Sequence, residues 1–258
     1  MTEGLSVPDW PGVAVSLLLV GVAAVIAYRQ RLRLTGEMVV AAVRAAVQLI
    51  AVGAVLLVLF RHTGLWGALG WVVLMVVIAG QVAGRRGAGV PQAIRAATAG
   101  VAFGTAVTLG ALILLGVIST QARVVVPVGG MIVAGAMQAT GLALRRVHED
   151  ARAARTAVEA RLCLGLPARE AFLPYRRSAL RTALVPAIDS TKVVGLISLP
   201  GAMTGLILAG VEPLTAIRYQ IVVMYMLLAA AALAALAASR VAERGLFDDA
   251  QRLVPLPA

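Results

Sequence analysis

Residues 183–210 read ALVPAIDSTKVVGLISLPGAMTGLILAG, with Asp189 and Lys192 as the charged side chains in 28 residues. About 20 apolar residues cross a bilayer as a helix, so this run is long enough to span. It is also punctuated. Pro186 lies near its start, and Pro200-Gly201 interrupts its middle. Proline removes a backbone donor and clashes with the preceding turn. Carbonyls freed inside a membrane must be satisfied by protein or by water. The stretch therefore predicts a broken helix beside a cavity, the arrangement transporters use for substrate. Gly201 and Gly205 add a G-x-x-x-G spacing that permits close helix contact. It recurs at Gly80/Gly84 and Gly100/Gly104, so by itself it says little.

Composition agrees. The chain has 258 residues, 60% of them apolar and only 14% charged, with a mean hydropathy of +0.93. A soluble domain is about 45–50% apolar and about 25% charged. These values exclude a water-soluble globule and a disordered chain. Seven apolar runs stand out, at about 12–28, 38–60, 65–84, 96–118, 124–144, 183–211 and 214–238. They predict an all-α polytopic membrane protein of about seven transmembrane helices in one domain over 1–258.

The net charge of +11 reads as topology. Glu3 and Asp9 precede the first run, and Arg29, Arg31 and Arg33 follow it, which argues against a cleaved signal. With the N-terminus outside, 18 basic residues fall inside, against Arg61, Arg123 and Arg218 outside. That bias predicts N-out and C-in, a multi-pass protein of the inner (plasma) membrane with the lipid bilayer as its partner, and no nucleic acid.

Residues 145–182 form the long hydrophilic stretch, cytoplasmic on this topology. Ala151, Ala154, Val158 and Leu162 share one helical face; Arg152, Arg155 and Glu159 share another. Gly165-Leu166-Pro167 predicts the helix end, a glycine cap followed by a breaker. A second short helix is expected from Pro167 to about Leu173. One reading is an interfacial helix with snorkelling arginines. The other is a coupling knob held by a partner. The "EARLCLG" segment (Glu159, Ala160, Gly165) resembles the E-A-A-x-x-x-G element that ABC-transporter membrane subunits present to their ATPases, with Arg161 at its third position.

A charge at a helix centre costs about 2.5–3.5 kcal/mol on insertion scales. Arg44 and Gln48 share a face of span two. Asp189 and Lys192 are spaced to pair. Both sets read either as internal polar staples or as lining of a translocation path. Met131, Met137, Met203, Met224 and Met226 are soft donors that more often serve as core filler.

There is no G-x-x-x-x-G-K-[ST], so the chain predicts no P-loop of its own. No G-x-S-x-G is present. His62 and His148 fall on opposite sides, and Cys163 is a lone thiol. Enzymatic chemistry and a cofactor within this chain are not expected, and the metal ligands, if any, are unknown.

The run DSTKVVGLISLPGAMTGLILAGVEPLTAIRYQIVVMYML, with VRAAVQL at 43–49 and FLPYRRSALRTALVPAIDS, resembles the FetB-type family. These are small ABC-transporter membrane subunits related to bacterial iron-export permeases and plant aluminium-tolerance proteins. Relatives often carry G-N-x-M in span five where this chain reads Ala134-Gly135-Ala136-Met137. The resemblance implies a homodimer of this chain, two copies of an ABC ATPase subunit carrying ATP and Mg, and export of a metal ion or metal complex, iron by name for bacterial members. On that reading Arg152, Arg155, Glu159, Ala160 and Gly165 couple to the ATPase. Asp189, Ser190, Lys192, Ser198, Pro200, Gly201 and Met203 line the pathway, with Arg44 and Gln48 as structural or gating residues. The rival expectation is a stand-alone secondary transporter or channel.

Overall fold

The apolar runs are helical. The structure, a computed structural model, describes residues 10–31, 35–62, 64–197 and 199–256. Among them are nine α-helices and no strand: α1 (Trp10–Arg29), α2 (Thr35–His62), α3 (Leu65–Arg86), α4 (Ala93–Leu114), α5 (Ala122–Ala153), α6 (Arg155–Cys163), α7 (Ala168–Val193), α8 (Gly201–Leu208) and α9 (Pro213–Gly245). Five segments among the described residues are long and apolar enough to cross a membrane: Thr35–Leu57, Leu65–Arg86, Ala93–Leu114, Ala122–Ala153 and Pro213–Gly245. Ala14–Arg29 is a shorter apolar helix. The chain is a polytopic α-helical membrane protein. Glu3, Asp9, Arg33 and Ser198 lie outside the described residues.

The chain divides into two compact units, Met1–Thr63 and Gly64–Ala258. In the first, α1 and α2 form a helical hairpin in which Ala24 and Ala27 are buried. The Thr35 hydroxyl donates to the Ala24 carbonyl at 3.4 Å.

The second unit packs through small residues. Lipid tails are as apolar as leucine, so burial gives membrane helices little reason to associate, and close backbone approach supplies the dispersion contact instead. A methyl group at Gly100 would lie 2.6 Å from the Ala234 carbonyl oxygen, and one at Gly104 2.8 Å from that of Ala230. Gly80 sits against Thr98, and Gly84 against Ile94. The opposed numbering of these contacts makes α4 antiparallel to α3 and to α9. Gly129 meets Val72, and Gly141 meets Ala83 and Arg86, so α5 runs with α3. Around Gly201 and Gly205 a methyl would meet nothing within 4 Å. The G-x-x-x-G spacing that builds the bundle is therefore that of α3 and α4, not that of α8.

These directions gather the arginines. Arg85, Arg86, Arg95, Arg145, Arg146, Arg169, Arg176, Arg240 and Arg244 all fall toward one end of the unit; Arg123 and Arg218 begin helices at the other. The bundle thus has a basic end.

Two helices depart from their expected boundaries. The sequence reading places a short helix at 167–173 and begins a separate span at 183. Instead α7 runs unbroken for 26 residues, through both Pro174 and Pro186. Neighbours hold it together: Ala171, Phe172, Ala179, Leu180 and Ala183 are buried against α5, α9 and the elements around them. Within a packed bundle, such contacts and nearby hydroxyls sustain a helix that proline would otherwise break. The run over 183–211 is interrupted as its sequence suggests, over 194–200, where Gly195 has φ +83, and Pro200 then caps α8. Likewise α5 does not stop near 144. Its 32 residues extend about 48 Å at 1.5 Å per residue, well past a hydrocarbon core of about 30 Å.

Candidate functional site

At the basic end, the α5 extension, α6 and the start of α7 form an elbow. α6 ends as its sequence requires. Gly165 has φ +86, a left-handed position that favours glycine. Its N–H donates to the Leu162 carbonyl at 2.9 Å, and the Leu166 N–H to that of Arg161 at 3.2 Å. This is the paired closure of a Schellman turn. Pro167 then caps α7.

The elbow is anchored on its inner face. Val158, Ala151, Phe172, Leu246 and Leu253 are buried in one cluster. The Phe172 ring lies 6.0 Å from Tyr175 and 6.2 Å from Phe247 between centroids. Arg161 donates to the Ala171 carbonyl at 3.4 Å and stacks 5.7 Å from the Tyr175 ring centre. Offset aromatic contacts and a cation over a ring each add specific geometry to plain burial. α6 and α7 are thereby joined.

The outer face is free for contact. Arg152, Glu159, Ala160, Cys163, Leu164 and Gly165 are exposed. Arg155 donates to Glu159 at 2.8 Å. Exposed pairs of this i,i+4 type add only about 0.3–0.5 kcal/mol. All five expected coupling residues therefore sit on one projection: Arg152 at the end of α5, Arg155, Glu159 and Ala160 on α6, and Gly165 in the turn.

Two features of this end escape sequence reading. Arg176 of α7 donates to Glu243 of α9 in a buried ion pair. Sequence spacing carries no signal for it, since its members lie 67 residues apart. The other feature is the tail. Val254 donates to the Leu246 carbonyl at 2.9 Å. Asp248 accepts from the Arg252 N–H at 2.8 Å and from its Nε at 2.9 Å. The folded tail then grips the elbow: Gln251 accepts the Ala168 N–H at 3.0 Å, and Arg155 donates to the Leu253 carbonyl at 3.4 Å. The Arg252 backbone N–H, followed by its guanidinium, holds the Asp248 carboxyl below its ordinary value.

α7 leads from the elbow toward the opposite end. Asp189 and Lys192 lie in its last turns and pair at 3.6 Å, with side chains 60% and 69% exposed. Ser190 donates to the Pro186 carbonyl at 2.8 Å, and Thr191 to that of Ala187 at 2.8 Å. Pro200, Gly201 and Met203 follow across the interruption, at the start of α8. Sequence reasoning thus names one continuous segment, with Ser198 outside the described residues. α8 packs on α9 and ends in a second Schellman closure, with Gly210 at φ +86. Arg44 and Gln48 stand exposed on one face of α2, in the other unit. Among the described residues, no three His, Cys, Asp or Glu side chains come together.

The chain matches the model of the uncharacterised protein family UPF0014 over residues 10–247, and it belongs to that family. It is similar to the UPF0014 membrane protein STAR2 of Oryza sativa subsp. japonica, 40% identical over 91% of this chain and 82% of that one. It is 38% identical to the protein ALUMINUM SENSITIVE 3 of Arabidopsis thaliana, over 93% and 88% of the two chains. With the probable iron export permease protein FetB of Escherichia coli it shares 35% identity over 93% of each. No solved structure matches it.

Proposed function

We propose that this UPF0014 chain is the membrane-spanning permease subunit of an ABC transporter that exports a metal ion or metal complex. A separate ATPase subunit, carrying ATP and Mg, would power it. The observation that carries the reading is the elbow: an exposed turn at the basic end, clamped to a long helix that leads to the charged, interrupted segment. Supporting it are the permease named among its relatives and the arginine distribution, which favours a cytoplasmic basic end in the inner (plasma) membrane.

The mechanism follows from stiffness. An ATPase gripping Glu159, Ala160 and Gly165 displaces α6. The Phe172 cluster and the Arg161–Tyr175 contact pass that displacement to α7. Over Ala168–Asp189, about 32 Å of helix at 1.5 Å per residue, α7 moves as a rod. The Asp189–Lys192 pair and the interruption before α8 shift with it, opening or closing the path. The pair carries no net charge, which suits a complexed metal better than a bare cation. Two copies of this chain and two ATPases complete the assembly.

Reconstitution tests the proposal. The chain and its ATPase in vesicles, supplied with ferrous or chelated iron, are expected to hydrolyse ATP faster with iron than without. Iron transport by the chain alone, driven by a gradient with no nucleotide present, would instead make it a secondary transporter or channel.

A further inference from the structure

A cavity of about 430 Å³ opens at the basic end between the start of α7 and the end of α9. Its walls include Arg169, Arg176, Arg240 and Arg244, against the single carboxylate of Glu243. Arg169, Arg240 and Arg244 are exposed, whereas Arg176 is 92% buried. The Arg176 guanidinium gives one N–H to Glu243, while its Nε and the Glu243 Oε1 are both buried with no partner. A buried donor left without an acceptor costs about 1–3 kcal/mol, more for a charged group. The remaining guanidinium groups have no carboxylate on the wall to neutralise them. Asp248, the nearby tail acid, is engaged by Arg252.

We infer that this cavity binds a phosphate group. Four guanidinium groups around a concave space match a tetrahedral oxyanion, because each planar fork donates two parallel N–H bonds. A phosphate there gives the exposed arginines a counter-charge and offers an acceptor to the donors of Arg176. The volume exceeds a bare phosphate, so the group arrives on a larger body: an anionic lipid headgroup from the adjoining bilayer surface or a soluble phosphorylated compound. The site lies beside the elbow but does not depend on the permease reading.

The test uses the full chain. Calorimetry in detergent measures binding of inorganic phosphate. Native mass spectrometry of the chain in mixed nanodiscs measures retention of phosphatidic acid against phosphatidylcholine. R240Q/R244Q removes two exposed charges and leaves the buried pair. R177Q/R181Q removes two exposed charges elsewhere on α7. The expected result is a loss of about tenfold or more in the first variant and little change in the second. Arg169→Gln provides a second, single-site reading if the double variant fails to fold. Phosphatidic acid retention assigns the lipid source; phosphate binding without lipid retention assigns the soluble one. No binding of either probe, or equal losses in both double variants, overturns the site. So does loss of ATPase capture in R240Q/R244Q with no phosphate binding, which would make these arginines a protein contact.

Discussion

Arg176 and Glu243 form an ion pair between α7 and α9, with 9% and 8% of their side-chain surfaces exposed. It joins the helix that begins at the elbow to the helix that ends beside it. Two charges removed from water gain little net stability from each other, because desolvation offsets their attraction. Their value here is positional: the pair fixes the register of α7 against α9 at the level where the elbow is clamped.

Breaking the pair is therefore worse than deleting it. Arg176→Met or Glu243→Gln leaves a buried charge uncompensated, at about 3–5 kcal/mol. The double variant R176M/E243Q leaves none and should recover most of that loss. Thermal unfolding of the four proteins in one detergent closes the cycle. Additive losses would mean the two side chains act independently.

The glycine seams make an opposed pair of predictions. Gly100→Ala places a methyl 2.6 Å from both the Ala234 carbonyl oxygen and the Ala238 Cβ. Helix backbone cannot yield cheaply, so α4 and α9 must part, at about 1–3 kcal/mol. Gly201→Ala meets nothing within 4 Å and should be neutral or slightly stabilising, since alanine favours helix by about 1 kcal/mol over glycine. Melting temperatures of the two variants should move apart.

What could be read in advance follows the range of each interaction. The turn at Gly165 was legible because a C-cap glycine, a following proline and the apolar face of α6 are all local. The basic end was legible because helix order and arginine spacing suffice for it. The pairing of Asp189 with Lys192 was legible from i,i+3 spacing. The course of α7 was not, because proline is a local signal overruled by distant packing of Phe172, Leu180 and Ala183 against other helices. Nor were the Arg176–Glu243 pair and the folded tail, which bring together residues with no common periodicity. The G-x-x-x-G spacing says little alone for a similar reason: only a neighbour's small residues turn it into a contact.

Gly165→Pro tests the elbow. Proline can neither adopt φ +86 nor donate the N–H that Gly165 gives to the Leu162 carbonyl at 2.9 Å. The turn must open, and α6 reorients while the bundle, which does not depend on it, remains. The expected outcome is a normally inserted, monodisperse protein that no longer captures its ATPase in co-purification. Capture at the level of the unaltered chain would remove α6 from the coupling scheme.

The tail latch has a pH dependence of known sign. Asp248 has its carboxyl lowered from an ordinary value of 3.8, first by the Arg252 N–H and then by its guanidinium. A depressed carboxylate stabilises above its unfolded pKa, and that contribution is lost as pH falls through the folded value. The latch should therefore hold at neutral pH and loosen below the ordinary carboxylate range. Protection of the Arg252 amide against hydrogen exchange, taken relative to its intrinsic rate at each pH, should fall in the unaltered chain as the pH is lowered. In Asp248→Asn that protection should be low throughout.

Asp189 and Lys192 carry the prediction closest to transport. Their pairing at 3.6 Å is loose, and both side chains are more than half exposed, so the pair contributes little to folding. Neutralising one member leaves a net charge where the pathway is proposed to run. Lys192→Met should favour cationic cargo, and Asp189→Asn should oppose it. The swap D189K/K192D restores neutrality with the order reversed. If cargo passes this point, iron-stimulated ATP hydrolysis should change in opposite directions in the single variants, by about fivefold or more for about 1 kcal/mol of altered interaction, and return toward normal in the swap. Thermal stability should stay nearly constant across the set. Unchanged stimulation in all three variants would place the path elsewhere, since a charge cannot stand in the track of an ion without altering its passage.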